Sequence, residues 1–338
     1  MLGITQVAES DPSYRGRFLA SLMKKKVPAI KNVYTLEDLR DWPDIDPPIR
    51  LGVLGDPVEH SLSPQLQNAA LRHDKIDMQY ARFHIRSNQL GEALKRMRDL
   101  QFVGLNLTLP HKLGAPEFVD WLDDGAKQIA ASNVIKIDDN RLRGFNTDGR
   151  GFARAVRDEF SVDLRDLRVM ILGAGGAARA VALECAKSHC ERLVIANGTF
   201  EKGERLTEKL RRFFEGPKVF GPVPRLQAIP WEEAAFQFQI ANVDLVVNAT
   251  PVGLNPGDPS PLSSRLLAPH LMVYDTIYSG ARTPLVSAAL EAGARAANGL
   301  SMLLHQGALA FEIWFERAAP IDVMRKALGE SDSPSRLR

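Results

Sequence analysis

From Ile49 onward, short apolar runs alternate with stretches whose apolar residues recur at three- and four-residue spacing. The runs Ile49–Leu54, Tyr80–Ile85 and Phe102–Leu107 predict strands, and Pro64–Arg72 and Gln89–Leu100 predict the helices between them. A helical stretch is expected over Val119–Ala131. Val134–Ile137 and Arg141–Phe145 flank Asp138-Asp139-Asn140 as a hairpin, and Gly151–Phe160 reads as a connecting helix. A second rhythm starts at Leu167, with strands expected at Val169–Leu172, Leu193–Ala196, Leu245–Asn248 and Met272–Asp275. These runs lack the alternation of a half-exposed strand, as expected for parallel strands covered on both faces. Residues 301–317 close the pattern as a helix with Leu303, Gln306, Ala310, Ile313 and Trp314 near one face. The pattern predicts an α/β protein with two parallel-sheet domains. The expected division is an extension and linker at 1–48, a first α/β domain at 49–150, a second at 151–298, C-terminal helices at 299–328, and a tail at 329–338. Within the extension, Phe18–Met23 and Leu36–Leu39 read as short helical pieces, and Asp41–Pro48 as a Pro/Asp-rich linker.

The strongest local signal is Gly173-Ala-Gly-Gly-Ala-Ala-Arg179, directly after the Val169–Leu172 run. Gly173, Gly175 and Ala178 fill the G-x-G-x-x-G/A pattern: a tight turn, a close approach of backbone to pyrophosphate, and close packing of helix on strand. The Ala177–Lys187 helix then aims its first amides at the phosphates. A ligand-free strand-to-helix turn has the same glycines, but a buried strand before them and an Ala-rich helix after them favour a dinucleotide. The second domain therefore reads as a Rossmann-type dinucleotide-binding domain.

The first domain carries a polar set at its expected strand ends. Ser61 and Ser63 precede a helix in which Pro64 suits the first position and Ser63 the N-cap. Two hydroxyls beside a helix N-terminus also suit a carboxylate. Asn106 and Thr108 share one face of a strand that should be buried, and Lys112 follows them. Asn133 precedes the hairpin and Asp148 follows it. Each has a plain reading alone: a capped helix, a solvated lysine, an N-capping aspartate. Together they make a dense hydrogen-bonding set for a small polyhydroxylated acid, with a Lys112–Asp148 pair suited to acid–base work. His111 and His305 read as structural.

Composition narrows the classes. Forty-three basic and 41 acidic residues leave a net charge of +2, which gives no electrostatic case for a nucleic-acid or membrane-surface partner. The two cysteines, Cys185 and Cys190, form neither a disulfide framework nor a zinc pattern, so no metal is expected. No apolar run is long enough to span a bilayer, and Met1-Leu2-Gly3 does not open a secretory signal. A cytoplasmic protein is expected.

In chain order, Gly-Asp-Pro-Val-Glu-His-Ser-Leu-Ser-Pro (55–64), Gly-Leu-Asn-Leu-Thr-Leu-Pro-His-Lys (104–112), Ser-Asn-Val-Ile (132–135), Asn-Thr-Asp (146–148), the glycine loop (173–179), Asn-Ala-Thr-Pro-Val-Gly-Leu (248–254), Tyr-Asp-Thr-Ile-Tyr (274–278) and Gly-Leu-Ser-Met-Leu-Leu-His-Gln-Gly-Ala (299–308) resemble the shikimate dehydrogenase family, including its quinate/shikimate branch. The resemblance implies reversible NADP-linked reduction of 3-dehydroshikimate to shikimate in a monomer or homodimer. It implies C-terminal helices (299–328) that return to the first domain, and a catalytic pair of Lys112 and Asp148. Ser61 and Ser63, helped by Tyr278, would hold the carboxylate, and Asn106, Thr108, Asn133 and Gln306 would line the rest of the substrate site. Gly173, Ala174, Gly175, Gly176, Ala177, Asn197, Thr199, Lys202, Thr250, Gly253 and Gly299 would bind the cofactor.

Four departures stand out. Gln67 replaces a usual histidine, Ala-Ser-Asn-Val (131–134) replaces Ala-Val-Asn-Thr, and Leu254 replaces methionine. Gly198 replaces the arginine expected to grip the NADP 2′-phosphate, leaving Lys202 and Thr199; no acid at Asn197 awaits an NAD ribose. NADP is favoured, with an NAD-linked quinate/shikimate dehydrogenase as one alternative and a non-catalytic sensor or partner protein as another. The segment Tyr34–Arg40 resembles the connector found where this family is fused behind a dehydroquinase, but 48 residues are far too few for that barrel.

Overall fold

The computed structural model describes residues 31–215, 223–278 and 282–329. Phe18–Met23, expected to be helical, lies outside them. The first half contains β1 (Tyr34–Thr35), α1 (Leu36–Arg40), β2 (Ile49–Gly55), α2 (Ser63–His73), β3 (Gln79–His84), α3 (Leu90–Asp99), β4 (Gly104–Leu107), β5 (Trp121–Leu122), α4 (Asp124–Ile129), β6 (Val134–Asp138), β7 (Arg141–Phe145) and α5 (Asp148–Phe160). Its sheet runs β1-β3-β2-β4-β6-β7-β5. The almost wholly buried β2 lies between β3 and β4, parallel to both, and the β6–β7 hairpin enters antiparallel beside β4. Asp139 and Asn140 make that hairpin tight, with φ of 46° and 58°, the left-handed pair that a two-residue turn needs.

The second half contains β8 (Arg168–Leu172), α6 (Gly176–Lys187), β9 (Arg192–Ala196), α7 (Phe200–Leu210), β10 (Leu226–Ile229), α8 (Glu233–Ile240), β11 (Leu245–Asn248), β12 (Met272–Asp275), α9 (Pro284–Glu291), β13 (Arg295–Ala297), α10 (Leu300–Phe315) and α11 (Ile321–Ala327). Its sheet, β10-β9-β8-β11-β12-β13, is parallel throughout. Apolar side chains cover both faces, which explains the unbroken runs in β8, β9, β11 and β12.

Helix α10 ties the halves together. Close packing of α5 and α10 leaves no room for a side chain at Gly151, where an added Cβ would lie 2.8 Å from the Gln306 Cβ. Further along, the Trp314 indole donates to the Ile135 carbonyl of β6 at 3.0 Å.

Three expectations need correction. The helix expected over Val119–Ala131 is a short edge strand, β5, and a six-residue helix, α4. Asp123, in extended backbone, caps α4 through the Ala126 amide at 2.9 Å and so prevents an earlier start. The strand expected from Phe102 begins at Gly104, because Phe102 still donates to Met97 in the turn that closes α3. Residues 31–48 are no detached appendage. β1 pairs with β3, and Tyr34, Leu36, Leu39 and Ile45 are buried with Phe83, Met97 and Phe102. Trp42, in the expected linker, packs its ring 5.2 Å from Tyr34 and 5.5 Å from Phe102.

Candidate active site

Strand β4 ends at Leu107, and a single helical turn, His111–Leu113, then delivers Lys112 to the cleft between the two sheets, against Gly176. Asp148 is the first residue of α5. Lys112 Nζ lies 2.6 Å from Asp148 Oδ2, with the lysine side chain 17% exposed and the carboxylate 4%. A buried ion pair of this kind persists only when its remaining polar atoms are satisfied. Asn133 does this: its Nδ2 donates to Asp148 Oδ1 at 2.9 Å, to Thr147 Oγ1 at 3.0 Å and to Gln306 Oε1 at 3.3 Å. Asn133 Oδ1 accepts the Thr147 amide at 2.8 Å, and Asn106 Nδ2 donates to the Asn133 carbonyl at 3.3 Å. One buried network thus joins Asn106, Asn133, Asp148, Lys112 and Gln306. Thr108, half-buried, follows the end of β4, its amide donating to the Leu54 carbonyl of β2.

Ser61 and Ser63 are buried at the start of α2, but Ser63 is not the cap. Helix α2 begins at Ser63 itself, with Pro64 second, and the Ser61 hydroxyl accepts the Ser63 amide at 3.3 Å. The earlier serine reaches the orphan amide because the backbone turns at Leu62, which leaves the Ser63 hydroxyl for the Tyr80 phenol. Tyr278 hydrogen-bonds Ser61, and burial pushes its phenol above the ordinary tyrosine range. Tyr80 donates to Asn106 Oδ1 at 2.7 Å, and burial pushes it higher still. Tyr80 was not legible as a site residue. The signal was an aromatic hydroxyl in a strand beside an unpartnered Asn106, but facing is set by register with β2.

Across the cleft, Gly173 holds φ +111°, and a Cβ there would meet the Ala249 carbonyl at 2.9 Å. A Cβ on Gly175 would meet nothing within 4 Å. The ground before the first amides of α6, bordered by Ala174, Gly176 and Ala177, is therefore open, and it fits a pyrophosphate. A Cβ on Gly176 would lie 3.1 Å from the Lys112 Cβ, so the glycine loop abuts the lysine. Thr250 donates to Asn248 Oδ1 at 2.7 Å, and Asn248 donates to Asp275 Oδ1 at 3.0 Å, bracing the loop that carries Gly253. Burial pushes Asp275 up to about 6. A Cβ on Gly299 would collide with the Thr276 carbonyl, bringing the start of α10 against the segment that follows β12. At the far end, Asn197 Nδ2 donates to the Thr199 carbonyl at 2.8 Å, and Gly198, Thr199 and Lys202 are exposed.

The histidines are structural as read. His111 Nε2 meets the Ile85 carbonyl at 2.7 Å, and burial lowers its pKa. His305 pairs with Asp158 at 2.7 Å. Gln67 fills the departure at its position by donating to the Gly307 carbonyl at 2.9 Å, and Ser132 bridges β6 and β7 through the Val134 and Phe145 carbonyls. Among the described residues, no group of three or more His, Cys, Asp or Glu is placed to hold a metal ion, and no helix is long and apolar enough to cross a membrane. An open cavity of about 550 Å³, lined by Asp120, Trp121, Lys136, Arg143, Phe145 and Glu316 among others, shares no residue with this site.

Three family models match: the shikimate dehydrogenase substrate binding domain over residues 53–135, shikimate/quinate 5-dehydrogenase over 154–216, and the shikimate 5′-dehydrogenase C-terminal domain over 299–328. Shikimate dehydrogenase (NADP(+)) of Methanopyrus kandleri is 40% identical over 282 residues, 83% of this chain and 94% of that protein. The Geobacillus kaustophilus enzyme of the same name is 37% identical over 83% of this chain and 97% of its own. The crystal structure of shikimate 5-dehydrogenase from Thermus thermophilus in complex with NADP(H) and shikimate is 33% identical, with a TM-score of 0.72 over 82% of this chain and 98% of that one. With this identity spread across both sheets and nearly the whole of each relative, the chain belongs to the shikimate dehydrogenase family.

Proposed function

We propose that this protein is an oxidoreductase acting on a CH–OH group, a shikimate dehydrogenase that interconverts shikimate and 3-dehydroshikimate with NADP. The observation that carries the reading is the buried Lys112–Asp148 pair directly against Gly176 of the glycine loop. Acid–base groups and the dinucleotide site thereby meet in one cleft. When bound, NADP supplies or accepts the hydride at its nicotinamide.

The chain's own residues do the rest. Ser61, Ser63 and Tyr278 hold the substrate carboxylate through neutral hydroxyls. Asn106, Thr108, Asn133 and Gln306 orient the ring hydroxyls. Lys112 Nζ hydrogen-bonds the reacting oxygen, where charge develops, and Asp148 fixes the lysine through Oδ2 while Asn133 fixes Asp148 through Oδ1. Gly173 to Ala177 cradle the pyrophosphate, Thr250, Gly253 and Gly299 bound the nicotinamide end, and Asn197, Thr199 and Lys202 line the adenosine end. Residues 49–150 with 299–328 form the substrate half and 151–298 the cofactor half.

Steady-state rates for shikimate and quinate, each with NADP⁺ and NAD⁺, test the assignment. Shikimate with NADP⁺ is expected to give the highest kcat/KM. A higher value for quinate with NAD⁺ would overturn it, and no turnover with any pair would leave a binding protein.

A further inference from the structure

Arg82 lies on β3, and the register places it beside Val53 of β2, which in turn pairs with Asn106 of β4. Arg82 and Asn106 therefore share one face of the sheet, the face on which α2 begins with Ser63. The guanidinium donates twice to the Ser61 carbonyl, from Nε at 3.0 Å and Nη2 at 2.7 Å. Nη2 also reaches Gln65 Oε1 at 3.2 Å, and Nη1 reaches Asn32 Oδ1 at 3.3 Å. Every one of these acceptors is neutral. Among the described residues no carboxylate lies within ion-pair distance of Arg82, although the side chain is partly buried. The next polar residue on the strand, His84, takes both nearby acids, Asp56 and Glu59. A half-buried cation without a counter-ion is costly unless an anion completes it. The proposed carboxylate grip, Ser61, Ser63 and Tyr278, is built from hydroxyls alone. Burial lowers the Arg82 pKa, and the serine whose carbonyl it grips is the one that Tyr278 hydrogen-bonds.

We infer that Arg82 is a positioning residue for the acid end of the substrate: it fixes the Ser61–Ser63 turn through the Ser61 carbonyl and supplies the positive charge by which the site selects a carboxylate over a neutral group. This rests on the proposed function in taking shikimate as the acid. The guanidinium acts through the turn and through its field, without touching the substrate. A charge behind a low-dielectric layer of hydroxyls distinguishes an anion from a neutral ester more sharply than hydroxyls can. The fork geometry also explains an arginine here, since two parallel donors hold one carbonyl in a fixed direction.

The test compares shikimate with its methyl ester, using NADP⁺, in wild type, Arg82→Gln and Arg82→Lys. Glutamine keeps a donor for the Ser61 carbonyl and removes the charge. Arg82→Gln is expected to raise KM for shikimate about tenfold, with kcat held within about twofold and a clearly smaller rise in KM for the ester from the loosened turn. Arg82→Lys is expected to restore part of the lost affinity. In wild type, added salt should raise KM for shikimate and leave the ester alone, a readout that needs no variant to fold. An unchanged KM for shikimate in Arg82→Gln, or equal rises for acid and ester, would overturn the inference. Absence of wild-type turnover would strike the proposed function instead. Calorimetric binding of shikimate to wild type and Arg82→Gln would then decide the inference, which fails if the affinities are equal or if wild type does not bind.

Discussion

At the scale of single residues, the serines separate two jobs that lie two positions apart. Ser61 supports the Ser63 amide at the start of α2, whereas the Ser63 side chain supports nothing in the helix. Ser61→Ala is therefore expected to raise KM for shikimate and to cost about 1 kcal/mol of stability. Ser63→Ala should raise KM and cost no more stability than Ser61→Ala, since it loses a hydrogen bond to the Tyr80 phenol but leaves the helix amide its acceptor. Paired kinetics and thermal denaturation check this, and a larger loss in Ser63→Ala would contradict it. Gly198 faces open space, since a Cβ there meets nothing within 4 Å. Gly198→Arg is expected to tighten NADP⁺ severalfold and leave NAD⁺ unchanged, as an added bidentate phosphate contact requires. Calorimetric titration of both cofactors measures it, and equal tightening of the two would place the new arginine away from the 2′-phosphate. Lys112, Asp148, Asn106 and Asn133 were legible in the sequence because polar residues at the ends of apolar strands need partners. Tyr80 and Arg82 were not, because Tyr-Ala-Arg-Phe-His in β3 reads equally well as a half-exposed strand. Only pairing with Val53 decides which face meets the site.

At the scale of elements, Asp275 closes β12 and holds three donors: Thr283 Oγ1 at 2.7 Å, Asn248 Nδ2 at 3.0 Å and the Ile277 amide at 3.1 Å. Desolvation outweighs these bonds and lifts the carboxyl from 3.8 to about 6. The folded protein then binds a proton between about pH 4 and 6 that the unfolded chain has lost, so this group's contribution is full below about pH 4 and fades as pH rises through about 6. At about 1.4 kcal/mol per pH unit, the amount is on the order of 3 kcal/mol. Relative to Asp275→Asn, wild-type stability should fall across that window and run parallel above it. Denaturant melts of both proteins from pH 4 to 8 measure this, and a constant difference would contradict it. The buried strands β8, β9, β11 and β12 were legible from their apolar runs. The edge strands β1, β5, β10 and β13 were not, since none is buried along its whole length, so no unbroken apolar run marks them and they owe their pairing to the neighbouring strand.

At the scale of the whole molecule, two sheets share one cleft, and a segment before the first predicted strand closes the core of the first. Two-domain organisation was legible because the βα rhythm runs twice and the glycine loop opens its second round. The packing of residues 31–48 was hidden by Asp41–Pro48, whose prolines and acids mark a linker while Trp42 and Ile45 within it are apolar anchors. Removing residues 1–48 strips Tyr34, Leu36, Leu39 and Ile45 from that core. The truncated chain is expected to melt well below the full chain, and Leu36→Ala in the full chain to cost about 2–5 kcal/mol. A truncated chain with the full melting temperature would show that the segment merely rests on the sheet.

The central claim is that Lys112, held by Asp148 against the glycine loop, carries the acid–base side of the reaction, and Lys112→Ala tests it most directly. Turnover of shikimate with NADP⁺ should fall by roughly 10²–10⁴, while calorimetry shows shikimate still binding within a fewfold of wild type because its carboxylate is held elsewhere. Wild-type turnover in Lys112→Ala would contradict the account.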